Sequence, residues 1–132
     1  MPLAPCPSCR GDELLDVTGR CARCRGEWIS AAHIEARAHG RLPLLKRFMA
    51  RGPPTEKSCP WDKAALKAFD VPGFQYEGDL FWGKEEARAS GTCVAEGCSA
   101  CGGAWFEADQ LARGGERARV LEGLARLADG LA

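Results

Sequence analysis

Cys6-Pro7-Ser8-Cys9, then eleven residues, then Cys21-Ala22-Arg23-Cys24-Arg25-Gly26-Glu27-Trp28: the reading of this stretch decides the fold. A Zn²⁺ ion takes four thiolate or imidazole ligands in a tetrahedron, and each Cys-x-x-Cys turn brings two sulfurs to one point. Residues 10–20 suit a short β-hairpin that returns the second pair to the first. Leu15 and Val17 alternate as in a strand, and Thr18-Gly19 supplies the turn. The connection is shorter than the roughly fifteen to twenty residues common between such pairs, which fits a minimal ribbon. Disulfides or unrelated free thiols compete with this reading, but two matched pairs favour one metal site with ligands Cys6, Cys9, Cys21 and Cys24. Gly11 and Gly26 each stand two residues after the second cysteine of a knuckle, where a left-handed backbone is expected. Trp28 is expected to pack over the hairpin and shield the sulfurs.

The ending of this stretch recurs 77 residues on. Cys21-Ala-Arg-Cys24-Arg-Gly26-Glu-Trp28-Ile29-Ser30-Ala-Ala-His33-Ile34 aligns with Cys98-Ser-Ala-Cys101-Gly-Gly103-Ala-Trp105-Phe106-Glu107-Ala-Asp-Gln110-Leu111. Both cysteines, the glycine and the tryptophan are identical, and an internal repeat of this kind governs the fold. The second copy opens with Cys59-Pro60-Trp61-Asp62, in register with Cys6-Pro-Ser-Cys9. Asp62 therefore stands where a ligand cysteine belongs, and Ala64 where the other knuckles have glycine. A carboxylate can ligate zinc. The second set is thus Cys59, Asp62, Cys98 and Cys101, with Cys93 as the alternative fourth ligand and an incomplete, metal-free site as the third possibility.

The pattern Cys-Pro-x-Cys, short hairpin, Cys-x-x-Cys-x-Gly-x-Trp and capped helix resembles the small bacterial zinc ribbons classed with the TFIIB-type zinc fingers. The resemblance is strong over about residues 5–40 and carries departures over 58–112. It implies a structural zinc ribbon and no particular activity. The expected fold is a small α+β, zinc-stabilised chain of two tandem zinc ribbons, each a short β-hairpin with Cys knuckles followed by a helix. The first ribbon and its capped helix take residues 1–40, and a short helix with a Pro-rich linker takes 41–57. The second, divergent ribbon takes 58–112, with an insertion at about 77–96, and an amphipathic helix takes 113–132.

With 132 residues, each ribbon alone falls below the size at which an apolar core suffices. Metal must then supply folding free energy, on the order of 10 kcal/mol for structural zinc. Met1-Pro-Leu-Ala-Pro has neither the basic nor the apolar run of a secretory leader, and no stretch approaches a membrane span. The expectation is a soluble, reduced, cytoplasmic protein. Net charge is zero, but residues 1–52 carry nine Lys/Arg against five Asp/Glu, and residues 53–132 nine against thirteen. That imbalance permits nucleic-acid contact without making a strongly basic domain.

Between the knuckles, Ser30 is a good N-cap with His33 at the capping-box position, matched by Glu107 and Gln110 in the second copy. His33 and His39 read as solvated helical residues, since four cysteines already fill the first site. The helix is expected to stop near Gly40, and Pro43 to open another that runs through Met49. In the second copy Leu66–Val71, a Pro72-Gly73 turn and Phe74–Tyr76 form the expected hairpin. The insertion holds Leu80-Phe81-Trp82. A break at Gly114-Gly115 precedes a stripe of Val120, Leu121, Leu124, Leu127 and Leu131 at helical spacing, which either covers the exposed side of a ribbon within the chain or pairs with a partner helix.

No Ser/His/Asp set, phosphate-binding glycine loop or catalytic carboxylate pair is present, and four sulfurs close the first site to a hydrolytic water. The chain reads as no enzyme. The leading function is a zinc-stabilised protein-interaction adaptor, meeting itself or another protein through Val120, Leu121, Leu124, Leu127 and Leu131 and the aromatic insertion. A nucleic-acid-binding ribbon using Arg20, Arg23, Arg25, Arg41, Lys46, Arg47 and Arg51 on phosphates is the alternative. A thiol redox protein centred on Cys93, Cys98 and Cys101 ranks third. For the first metal site, the double variant Cys6→Ser/Cys9→Ser should lose native-like circular dichroism together with about one metal equivalent; retention of both would refute a structural site.

Overall fold

The computed structural model describes residues 3–10, 12–79 and 84–132, and their side chains outside 73–91. It is a small α+β protein. The elements run β1 (Glu27–Ile29), α1 (Ala31–Ala38), α2 (Leu42–Ala50), β2 (Pro54–Ser58), β3 (Ala65–Asp79), β4 (Lys84–Gly97), β5 (Ala104–Phe106), α3 (Ala108–Gly114) and α4 (Glu116–Leu131). The five strands form one antiparallel sheet in the order β1-β5-β4-β3-β2.

Local signals explain several boundaries. Ser30 caps α1, its hydroxyl accepting the His33 N–H at 3.3 Å, and left-handed His39 and Gly40 end the helix. Pro43 lies in the first turn of α2, where its missing N–H removes no helical bond. Gly115, at φ 85°, closes α3 and separates it from α4 as the Gly114-Gly115 pair leads one to expect.

The second hairpin differs from its sequence reading. No turn forms at Pro72-Gly73: β3 continues to Asp79 and β4 returns opposite it, pairing Lys67 with Gly97 at one end and Asp79 with Lys84 at the other. Proline has no N–H for the ladder, and the strand takes this up as a register shift between Pro72 and Phe74 instead of reversing. The segment read as an insertion is largely the returning strand. Leu80-Phe81-Trp82 lies outside the described residues.

The two copies of the repeat meet in the sheet. β1 pairs with β5 so that Trp28 faces Trp105, Glu27 faces Phe106 and Ile29 faces Ala104. Each tryptophan thus stands opposite its own counterpart, as about a local two-fold axis. The segments 1–40 and 58–112 accordingly share a single sheet. Successive side chains on a strand alternate between faces, and this separates two apolar clusters. Ile29, Phe69, Val71, Ala95 and Phe106 join Ile34, Leu45, Met49 and Leu111 from the helices in one. Trp28, Trp105 and Leu66 join the cysteines and Leu15 in the other.

Helix α4 belongs to the first cluster. Val120, Leu124 and Ala128 are fully buried, and Leu121, Leu127 and Leu131 pack against the same core. Of the two readings of the stripe, cover within the chain and a partner surface, the packing agrees with the first. Its helix approaches the sheet closely: a Cβ on Gly123 would come within 2.4 Å of the Pro72 carbonyl oxygen. Burying such a leucine is worth roughly 1.5–3 kcal/mol, and the five-stranded sheet offers the area that a lone ribbon lacks. Leu124→Ala should therefore lower unfolding free energy by about 2–5 kcal/mol in a urea titration. An unchanged midpoint together with dissociation of an oligomer would return this helix to an interface.

Candidate metal centres

Each centre is made by two tight turns. Among the described residues, two sets of four ligand atoms lie within 4.8 Å of one another: Cys6, Cys9, Cys21 and Cys24, and Cys59, Asp62, Cys98 and Cys101. In the first, Cys6 Sγ is 3.6 Å from Cys24 Sγ and Cys9 Sγ 3.9 Å from Cys21 Sγ. In the second, Cys59 Sγ is 3.9 Å from Cys101 Sγ, and Cys98 Sγ 3.2 Å from Asp62 Oδ2. A zinc tetrahedron with 2.3 Å bonds to sulfur has an S···S edge of about 3.8 Å, while a disulfide requires about 2.05 Å. The donor sets fit a tetrahedral thiophilic ion, and all eight cysteines are free.

The backbone builds the four turns alike. The residue after the second ligand is left-handed in every case: Arg10 at φ 54°, Arg25 at 63°, Lys63 at 64° and Gly102 at 91°. The N–H of the second cysteine points at the first sulfur, from Cys9 to Cys6, Cys24 to Cys21 and Cys101 to Cys98, at 3.4–3.5 Å. The Asp62 turn keeps the same frame, with the Lys63 N–H on the Cys59 carbonyl at 3.1 Å and the Cys59 N–H on the Ala64 carbonyl at 2.8 Å. Asp62 Oδ1 accepts the Ala64 N–H at 2.9 Å, where Cys101 Sγ accepts that of Gly103 at 3.4 Å. Ala64 therefore does not break its knuckle, because the left-handed position is Lys63.

Gly26 is needed for a different reason from the one its place suggests: its φ is not positive. A Cβ there would lie 2.3 Å from Trp105 Cζ2, and one on Gly103 2.3 Å from Trp28 Cζ2. Each indole lies on the glycine of the other copy. The reciprocal contact closes the sheet over both centres, and Trp28 and Trp105 are both buried with the sulfurs.

Electrostatics differ within each set. Burial pushes the Cys6, Cys24, Cys59 and Cys98 thiols up, and the Asp62 carboxylate beside Cys98 adds to its rise. Burial also opposes ionisation of Cys21, but the Cys24 and Arg23 N–H groups outweigh it and hold that thiol below its ordinary value. The Ala64 N–H keeps Asp62 below the usual carboxylate range. Without a cation most of these buried thiols stay protonated, so metal uptake must displace protons.

Cys93 is placed elsewhere. It is buried in the helix-side core, opposite Val71 in the sheet and beneath Gly114, whose Cβ would lie 3.0 Å from its sulfur. Neither His33 nor His39 joins a ligand set; the His33 ring meets Arg117 at 3.2 Å. Glu107 stands at the N-cap of α3 without capping it. It accepts the Trp105 indole N–H at 3.0 Å and pairs with Lys57 Nζ at 2.8 Å, an arrangement with no signature in the sequence. Of the basic residues, Arg20, Arg23, Arg25, Arg47 and Arg51 are exposed, Lys46 is half-buried, and Arg41 pairs with Asp129 of α4.

In comparisons with protein-family models, curated proteins and solved structures, nothing matches the chain. Among the described residues no helix is long and apolar enough to cross a membrane.

The ligand assignment has a direct check. Under chelator, Asp62→Ala should release the second metal and Asp62→Cys should retain it longer than the parent, measured as zinc per chain. Cys93→Ser should leave both metals in place. Release of metal by Cys93→Ser would make that thiol a ligand.

Proposed function

We propose that this chain is a zinc-stabilised protein-interaction module without catalytic activity, built from two tandem TFIIB-type zinc ribbons that share one sheet. The observation that carries the reading is the pair of four-donor sets, each with edges suited to a zinc tetrahedron and each joined to the other's tryptophan. Cys6, Cys9, Cys21 and Cys24 would hold one ion; Cys59, Asp62, Cys98 and Cys101 the other. Bound there, zinc supplies four directional bonds per site that replace the core a short ribbon lacks. Among the described residues no catalytic constellation accompanies the sites, and the thiolate-rich sets suit a structural ion better than a hydrolytic one.

Zinc K-edge absorption of the purified chain tests this reading. Two ions per chain sharing seven sulfurs and one oxygen are expected, together with a partner protein cross-linked in the native host only while zinc is present. A single zinc, oxidised cysteines, or salt-dependent capture of DNA or RNA in place of a protein would overturn it.

A further inference from the structure

The two halves repeat their backbone, so a place where they differ in side chains marks a change of use. One such place lies beside each tryptophan. Lys57, Trp105 and Glu107 in the second half correspond to Ala4, Trp28 and Ser30 in the first, and Ser8 corresponds to Trp61. In the second half the place is filled. Lys57 Nζ lies 2.8 Å from Glu107 and 2.9 Å from Glu96, and Glu107 takes the Trp105 indole N–H.

In the first half it is open. Ala4 leaves a groove of about 360 Å³, with Leu15 and Trp28 in its lining and Trp61 along one side. Trp28 is only 5% exposed, yet its indole N–H has no hydrogen-bond partner among the described residues, where Trp105 has a carboxylate. Ser30 and His33 at the start of α1 also line the groove, and α1 has no acidic residue in its first turn, whereas α3 has Asp109. Arg117 stands there too, its guanidinium 3.3 Å from Glu27 and 3.2 Å from His33 Nδ1, with further N–H donors to spare. The groove's own carboxylate, Asp16, has its Oδ1 engaged by the Thr18 N–H and hydroxyl and the Arg20 N–H and not by the indole. What the groove lacks, by comparison with its counterpart, is a carboxylate on the indole N–H.

Its rim is apolar. Val17 is 93% exposed, Trp61 59% and Leu3 44%. A small molecule inside the groove would leave these side chains wet, whereas a chain crossing it would cover them, as exposed aromatic anchors at interfaces are covered. We propose that this groove docks an extended segment of a partner protein that presents an acidic side chain between apolar ones, a proposal that rests on the interaction-module reading above. The carboxylate accepts the Trp28 indole N–H and faces Arg117 and the start of α1. The flanking apolar side chains cover Val17, Trp61 and Leu3.

The test selects a phage-displayed random heptapeptide library on the zinc-loaded full chain. The enriched peptides should carry Asp or Glu flanked by leucine or aromatic residues. A synthetic peptide of the enriched sequence should bind at least about tenfold more weakly when its acidic residue becomes the amide. The same loss is expected in Ala4→Lys, which fills the groove as Lys57 fills its counterpart, and in Val17→Asp, whose side chain is too exposed to matter for folding. Zinc per chain should stay at the parent value in both. No enrichment, enrichment without acidic residues, or affinity indifferent to both variants would overturn the docking site. So would binding of 4-phenylbutyrate at the groove with no peptide bound, which would make the occupant a small carboxylic acid. A parent protein that binds no zinc would instead fail the module reading, which the metal assay reports separately.

Discussion

Twice among the described residues four ionisable side chains converge within 4.8 Å, and everything on one face of the sheet depends on how that crowding is resolved. Two unit charges 4 Å apart repel by about 4 kcal/mol even at an effective dielectric constant of 20, so four unscreened anions cannot share such a space. Protonation relieves the repulsion, and burial favours it by raising the Cys6 and Cys59 thiols, but it leaves weak S–H donors where four strong bonds can form. A divalent cation relieves the charge and supplies the bonds together. The apolar cover of Trp28, Trp105, Leu15 and Leu66 then lies over donors whose summed charge the ion has halved.

Much of the local architecture was legible in the residues. Ligand spacing, the repeat of Cys98 through Leu111, the Ser30 cap and the Gly114-Gly115 break are all statements about short stretches, and short-range geometry determines them. The make-up of the donor clusters was legible in part: register offered Asp62 as one of three readings of the second set, beside Cys93 and an incomplete site, and the structure brings Asp62 to Cys59, Cys98 and Cys101. Long-range pairing was not. Nothing local in Glu27–Ile29 announces that its neighbour is Ala104–Phe106, and so two ribbons read separately become one sheet. The leucine stripe of α4 had the right period, but periodicity says only that one face is covered, not by what; the wider sheet supplies the cover. The expected turn at Pro72-Gly73 gave way to a bulge because the partner strand β4 rewards continuation. Gly26 was legible as an obligatory glycine for the wrong reason, since the constraint is an indole from the other half.

The near-symmetry makes the exceptions informative. A duplicated backbone with Cys9 replaced by Asp62, Ala4 by Lys57 and Ser30 by Glu107 retains the frame while changing what each half offers to solvent. One half spends its corresponding surface on an internal ion-pair network around Lys57. The other keeps an apolar recess beside a buried indole. The helix layer shares in the distinction, since Ser30 and His33 at the start of α1 and Arg117 of α4 line the recess.

The Trp28–Trp105 pairing also sets an order of events on the ribosome. All four donors of the first set are in hand once Cys24 has emerged, but Trp105, which stands opposite Trp28, follows Trp28 by 77 residues. At roughly 5–20 residues per second that gap lasts about 4–15 s. Throughout it the nascent chain carries a complete knuckle pair with an uncovered tryptophan and Ile29 beside it. The strand Ala104–Phe106 therefore does more than follow the second donor set: its arrival gives Glu27–Ile29 a partner and Trp28 its cover. Closure of the sheet is a late, long-range step of the kind that sets slow folding rates, and the nascent half-protein is most exposed to wrong partners while it waits for Trp105.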